Sequence, residues 1–581
     1  MPKAQRGVAR VLYHLPPISI VVALSFLAAV PVFRYGLPFG MDAAEHLSWY
    51  RCFVAQLQRG ELYPQWLQGM NNGLGSPDLF VYGPFPYYAA AIFHPFMGTG
   101  QELYDLGAST ILALILGGIA AYFWLGQLAE GRLVPTLAAV VYMAVPYYLK
   151  TDLYTRVALA EFWTFAWMPL ILYFTAVLLR NRTPSALAGL ALAWGLMFVT
   201  HLFTAMLFAP LALVYAGWMA NSDQRVAALR TAIFGILLGA LLSAFYLFPA
   251  LAYEKYISAY KLIETRPDYQ FGRNFLFSNV APTPYLSGIS RYTAWTAVVA
   301  ALFAASAFMA NSGRIMREAS WWVLVAAVSF VLMLPVSNWF WAHAPLLGAI
   351  QFPSRLNTLL TVATAALAAI GIESVRRHWQ WRTAIPVGLA LLLTAGWIRP
   401  LYFTMGQQHA QLRQLGNMNL DYLITAWAQW TDPRLVSVRG ISIDAATPRA
   451  LSRNGTATAG RWEPRLIEFH ADSPSETWVT VQQFYFPLWT ATLAQGRPLT
   501  LRPSSPEGLM TVQVPAGSTD VRLQLAHGKP ELAGAVLSGL TAIGLLLLAR
   551  RRDRSRRADH ARPATRRPAK TSLVAVLRFS V

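Results

Sequence analysis

Apolar runs of about 20 residues, the length that carries a helix across a bilayer core, recur along the chain with short polar loops between them. They predict spans near residues 17–34, 105–128, 133–149, 162–179, 184–200, 203–220, 231–252, 293–310, 321–336, 356–373, 384–398 and 532–549. Every second loop carries arginine: EGR (130–132), RNR (180–182), NSDQRVAALR (221–230), NSGRIMRE (311–318) and RRHWQWR (376–382). With the N-terminal tail (1–16) cytoplasmic, these loops fall inside, as the positive-inside rule expects. PFPYYAAAIFHPFMG (84–98) is apolar but has only 15 residues and three prolines. Counting it as a span would turn the basic loops outward, so it is expected to be a juxtamembrane or re-entrant segment at the outer surface.

The other side then collects 35–104, 150–161, 253–292, 337–355 and 399–531. The last of these changes its period. RLIEFHA, TWVTVQQFYF, LMTVQVPA and DVRLQLA alternate apolar and polar residues between Gly, Pro and Ser, which is a strand-and-turn pattern. The expected architecture is a polytopic α-helical membrane protein of about twelve helices. A first outer loop (35–104) precedes the bundle (105–398), and an extracytoplasmic β-sandwich (399–531) is tethered by the last span, with a basic cytoplasmic tail at 550–581. No inverted repeat of the kind found in many transporters is discernible.

Composition agrees with this class. Of 581 residues, 55% are hydrophobic and 13% charged, with a mean hydropathy of +0.40, more apolar surface than a soluble chain of this length can bury. The net charge of +20 is partly local, because eleven Lys or Arg from Arg550 onward face only Asp553 and Asp559. That distribution suits a tail against anionic headgroups and not a nucleic-acid-binding face. The single cysteine, Cys52, excludes an internal disulfide and a Cys-based zinc site. Ile18 to Val32 is followed by FRYGLPFG, with no small-residue cleavage pattern, and reads as a retained first span.

Candidate chemistry begins at GMDAAEHLSWYRCF (40–53). As a helix from Asp42, this stretch puts Leu47, Tyr50, Val54 and Leu57 on one stripe. Asp42, Glu45 and Trp49 then point away, with His46 at the flank. An interfacial helix would lift the acidic face toward a cavity, where a partly dehydrated carboxylate can act as a general base. Alternatively, Asp42 and Glu45 form a capping box. GELYPQWLQGMNNGLGSPDLFVYGPFPYY (60–88) is dense in aromatics and amides, which suit sugar rings and equally suit a membrane interface.

Several of these segments resemble the GT-C glycosyltransferases. They are Asp42 with His46, GELYPQW, NNGLGSP, FVYGPFPYY, YTRVALAEF (154–162), His201 after the fifth span, FYLFPAL (245–251), QFPSR (351–355) and FYFPLWTATLAQGRPL (484–499). More narrowly, the chain is similar to bacterial membrane proteins carrying the 6-pyruvoyl-tetrahydropterin-synthase-related domain. Nothing in it resembles a soluble pterin enzyme.

The resemblance implies a GT-C-like membrane enzyme that takes a sugar from a polyprenyl-phosphate carrier. The acceptor would be an outward-facing envelope glycolipid, polysaccharide or protein, and transfer would proceed with inversion in a bacterial inner membrane, on the periplasmic or exterior side. Asp42 becomes the expected general base, with Glu45 and His46 positioning the acceptor hydroxyl or the sugar. The leaving phosphate needs positive charge, for which Arg156, Arg355 and Lys150 are candidates and Arg273 a further one, unless they snorkel to headgroups. Glu161 either pairs with Arg156 or adds a second carboxylate, and His201 either contacts sugar or caps its helix. Tyr63, Trp66, Asn72, Tyr82, Tyr154 and Gln351 complete the expected substrate contacts. Asp-Ala-Ala-Glu-His lacks the adjacent acidic pair of some GT-C branches, so a divalent cation (Mg or Mn) is allowed but not demanded. A transporter or flippase of lipid-linked sugars, and a non-catalytic scaffold docking through its β-domain, are the alternatives.

Overall fold

The computed structural model describes residues 3–257, 267–280, 282–310, 313–348, 350–396 and 448–561. Nine of the described helices are long and apolar enough to cross a membrane, and Leu12–Ala28, Pro184–Thr200 and Trp381–Gly396 are shorter apolar helices. Each overlaps one of the apolar runs of the sequence. The chain is thus a polytopic helical membrane protein with a β-rich C-terminal region. Residues 399–447 of the expected β-domain and 562–581 of the basic tail lie outside the described residues.

Burial sorts the helices. Pro353–Arg377 is 94% buried over its most apolar window, whereas Lys529–Arg550 is 17% buried. The first is the bundle's centre, packed on Pro284–Met309 and Gly313–Leu332. The second presents Leu540, Ile543 and Leu547 outward, as a helix facing hydrocarbon must. At one end of the bundle, Arg376 and Arg377 hold Glu373 and reach Glu130 at 3.2 and 2.8 Å. At the other end the loops converge on the first long loop.

That loop is mostly ordered structure. Residues 84–98 form two short helices, Phe85–Ala91 and His94–Met97, too short to span a bilayer. Asp105, at the head of Glu102–Leu125, accepts from Tyr50 at 2.9 Å and lies 2.7 Å from His94 Nδ1, tying three elements together.

The described residues of the C-terminal region have nine strands: β1 Ala450–Ser452, β2 Thr456–Glu463, β3 Leu466–Ser473, β4 Thr477–Phe484, β5 Trp489–Leu493, β6 Pro498–Leu499, β7 Leu501–Pro503, β8 Leu509–Val514 and β9 Gly517–Leu525. They make two antiparallel sheets, ordered β1-β4-β8-β7 and β2-β3-β9-β5-β6. Alternation decides the faces. Ile467, Phe469, Val521 and Leu523 of one sheet and Val479, Val481 and Val512 of the other enter one shared buried cluster.

Trp66, Leu74 and Phe80 of the first loop enter that same cluster. The Trp66 indole donates to Gln483 Oε1 at 2.8 Å, Gln483 Nε2 donates to the Gly73 carbonyl at 2.6 Å, and Phe484 N donates to the Leu74 carbonyl at 2.7 Å. Arg465 adds bonds to Glu61 (3.1 Å) and Gln65 (2.8 Å). The loop and the β-region, drawn as separate units from the sequence, are packed as one body.

Candidate functional site

The site starts from a short backbone splice. Met41 N donates to the Thr155 carbonyl at 3.2 Å and Asp42 N to the Arg156 carbonyl at 2.8 Å. Gly40 permits this approach, since a Cβ there would sit 2.8 Å from Thr155 O and 3.0 Å from Arg156 C. Asp42 then heads the Ala43–Gln58 helix, but its side chain makes no capping hydrogen bond. The capping-box alternative is therefore not what the fold uses. The carboxyl faces Arg156, Arg355 and Glu161 instead; burial pushes its pKa above the usual carboxylate range, and the two arginines pull it part of the way back.

The opposing wall is a π-helix, Tyr147–Arg156, a geometry found mostly at functional sites. It ends at Val157 in the left-handed region (φ 59), a costly conformation for a β-branched residue. Arg156 Nη1 lies 3.0 Å from Glu161 Oε2 and 3.4 Å from both Asp152 Oδ1 and the Tyr147 hydroxyl. Tyr147 donates to Glu161 Oε1 at 2.7 Å.

Arg355 enters from the Pro353–Leu356 turn. Its Nε stands 3.5 Å from Glu161 Oε2, an ion-pair distance, and Nη1 donates to the Ile350 carbonyl at 2.7 Å. The guanidinium lies over the Phe203 and Phe352 rings, at 5.2 Å from each. Nε itself is buried without a hydrogen-bond partner among the described residues. Glu161 thus pairs with both arginines.

His46 is buried, with Nδ1 at 2.8 Å from the Tyr87 hydroxyl and the ring bonded to the Val157 backbone. Burial, aided by Arg156, pushes it down to about 3, so the ring is neutral at working pH. The ring thus links Tyr87 to the Val157 turn.

Tyr82 packs its ring 4.8 Å from Trp49 and faces Asp42, Arg355, Arg156 and Glu161. Trp49, expected on the outward face with Asp42, is buried at 8% exposure, because residues 78–88 cover that side of the helix. Glu45 is half-buried and approaches Tyr87. His201 caps the Leu202–Met219 helix, its Nδ1 accepting from Thr204 N at 3.4 Å and lying 2.7 Å from Thr204 Oγ1. It also lies beside Arg355 and Glu161.

Other expected contacts sit elsewhere. Trp66 is buried in the β-region core. Tyr63 donates to the Leu79 carbonyl (3.0 Å) and Tyr154 to the Ala28 carbonyl (2.7 Å). Asn72 occupies a left-handed turn position (φ 54) and Gln351 another (φ 66). Lys150 is half-buried in the π-helix, and Arg273 is exposed in a turn. Conversely, Asp152, Tyr147 and Tyr285, which line the cluster, were not expected. Asp152 stands in KTDLYTR four residues before Arg156, the ordinary helical pairing distance, and that spacing is the signal that could have found it.

The carboxylates Asp42, Asp152 and Glu161 are interleaved with Arg156 and Arg355. Among the described residues no group of three or more His, Cys, Asp or Glu is arranged to hold a metal ion.

One other grouping has nucleophile–base connectivity: His470 bridges Asp520 (2.8 Å) and Ser518 (3.1 Å) across β3 and β9. Its histidine and aspartate are 48% and 73% exposed, open to competing water.

Solved structures of the arabinofuranosyltransferase AftD from Mycobacteria are similar to this chain. A mutant form matches at 18% identity with a TM-score of 0.43, over 65% of this chain and 27% of that one. A second structure gives 16%, 0.42, 65% and 26%. This chain thus spans about a quarter of their length. No curated protein matches the sequence. The profile of the 6-pyruvoyl-tetrahydropterin synthase related domain, a membrane protein family, matches residues 79–402. That segment exceeds half of the chain and includes Tyr82, Arg156, Glu161, His201 and Arg355, and the chain belongs to this family of membrane proteins.

Proposed function

We propose that the protein is a GT-C-like glycosyltransferase that moves a sugar from a polyprenyl-phosphate carrier to an outward-facing envelope acceptor. The observation that carries the reading is Asp42, uncapped and half-buried, facing an arginine pair at the loop end of the bundle. Asp42 takes the proton of the acceptor hydroxyl as its oxygen attacks the anomeric carbon. The bond from that carbon to the phosphate oxygen breaks, and the carrier phosphate leaves with the electron pair. A carboxyl raised above its usual range is better matched to proton abstraction near neutral pH than an ordinary aspartate.

Arg156 and Arg355 meet the charge that develops on the phosphate. Arg355 Nε supports this role, because it is buried and ion-paired with Glu161 at 3.5 Å yet makes no hydrogen bond among the described residues. Glu161 and Tyr147 keep both arginines oriented before substrate arrives. The acceptor is a sugar or lipid hydroxyl of the cell envelope, and the membrane is a bacterial inner membrane with the site facing outward.

The test is complementation of a deletion strain with wild type or Asp42→Asn, matched for expression. Envelope glycans and polyprenyl-phosphate sugars would be profiled by mass spectrometry. Loss of one sugar from an acceptor, with accumulation of its lipid-linked donor, is the expected outcome. A mutant profile identical to wild type would favour transport or scaffolding.

A further inference from the structure

Asp78 opens the short Asp78–Val81 helix and is 1% exposed. The Ser76 hydroxyl and the Trp49 indole donate to its carboxyl, while Oδ1 is buried with no hydrogen-bond partner among the described residues. Cys52 approaches from the Ala43–Gln58 helix and Tyr87 from the Phe85–Ala91 helix, and these are the titratable groups facing it. A carboxyl in such a place is expensive to keep, so its partners indicate what it is kept for. Trp49 is the informative one: its ring stands 4.8 Å from Tyr82 and 5.9 Å from His46, and Tyr82 in turn faces Asp42 and both arginines.

We propose that Asp78 is a positioning residue for the sugar subsite. Its bond from the Trp49 indole fixes Trp49 against Tyr82, and so sets the half-buried Tyr82 ring beside Asp42, on which the C–H face of a sugar ring stacks. This rests on the glycosyl-transfer reading for the ligand but not for the geometry. Burial pushes Asp78 up to about 7, so the charge on the group holding Trp49 changes within the working pH range, and the indole reports it.

The test is 19F NMR of the full chain in detergent micelles, labelled with 5-fluorotryptophan, over pH 5 to 9. The Trp49 resonance is assigned by its loss in Trp49→Phe. In wild type it is expected to titrate with a midpoint near 7. Asp78→Asn is expected to abolish the titration, and Ser76→Ala, which removes one donor to the carboxylate, to move the midpoint upward. A Trp49 resonance that does not titrate, or a titration that persists in Asp78→Asn, overturns the proposal. Should Asp78→Asn not fold, an unmoved midpoint in Ser76→Ala overturns it equally. No sugar donor enters this measurement, so its failure leaves the transfer reading standing, and failure of transfer leaves the Asp78–Trp49 linkage standing.

Discussion

Glu161 Oε2 lies 3.0 Å from Arg156 Nη1 and 3.5 Å from Arg355 Nε, so one carboxylate oxygen faces both guanidiniums. The arginines come from distant elements, the end of the π-helix and the Pro353–Leu356 turn. Glu161 fixes their separation and so the width of the space a phosphate would enter.

Replacing Glu161 by Gln removes the counter-charge that the two buried cations share, leaving Arg156 with Asp152 at 3.4 Å. Breaking a buried pair from one side costs about 3–5 kcal/mol, so thermal unfolding in detergent is expected to shift down strongly. Adding Arg156→Met is expected to restore part of that loss. A double mutant no more stable than Glu161→Gln would show that the pair is not coupled.

The β-region latch gives a second prediction. Gln483→Leu leaves the Trp66 indole and the Gly73 carbonyl without their partners, at about 1–3 kcal/mol for each buried group. Limited proteolysis is expected to cut residues 60–88 faster in this variant. If Trp66 instead contacted sugar, the variant would change substrate affinity and leave the cleavage rate as in wild type.

His46 and Asp78 predict opposite pH dependences of stability. Folded His46 stays neutral down to about 3 while the unfolded side chain gains a proton near 6.5, so stability falls as pH drops through that window. Folded Asp78 keeps its proton to about 7 while the unfolded carboxyl loses it near 3.8, so stability falls as pH rises. Each slope is about 1.4 kcal/mol per pH unit, and the two oppose each other over most of the window. Denaturant unfolding of His46→Gln is expected to expose the Asp78 slope, stability decreasing from pH 4 to 7. Asp78→Asn is expected to expose the reverse slope. A His46→Gln protein whose stability does not vary with pH contradicts the burial of Asp78 as a neutral acid.

The sequence made the apolar helices legible because the bilayer imposes their length, and β3 and β9 legible because one face of each strand is buried. Asp42, Arg156, Glu161, Arg355, Tyr82 and His201 were named from the chain, and the fold brings them to one end of the bundle. The rest depended on tertiary packing. Trp49 was read outward because a single apolar stripe was counted, and the cover supplied by residues 78–88 has no signature in the helix itself. Trp66 was read as a sugar contact because an indole suits a sugar and a protein core equally. Only the pairing with Gln483, more than four hundred residues away in the chain, decides between them.

The most direct measurement of the central claim is sugar transfer in membrane vesicles supplied with extracted lipid-linked sugars, comparing wild type and Asp42→Asn from pH 5 to 9. The wild-type rate is expected to rise with pH through an inflection above the usual aspartate range. Asp42→Asn is expected to lose about 10²–10⁴-fold and to lose the inflection. An Asn variant that transfers at the wild-type rate would contradict the assignment of Asp42 as the base.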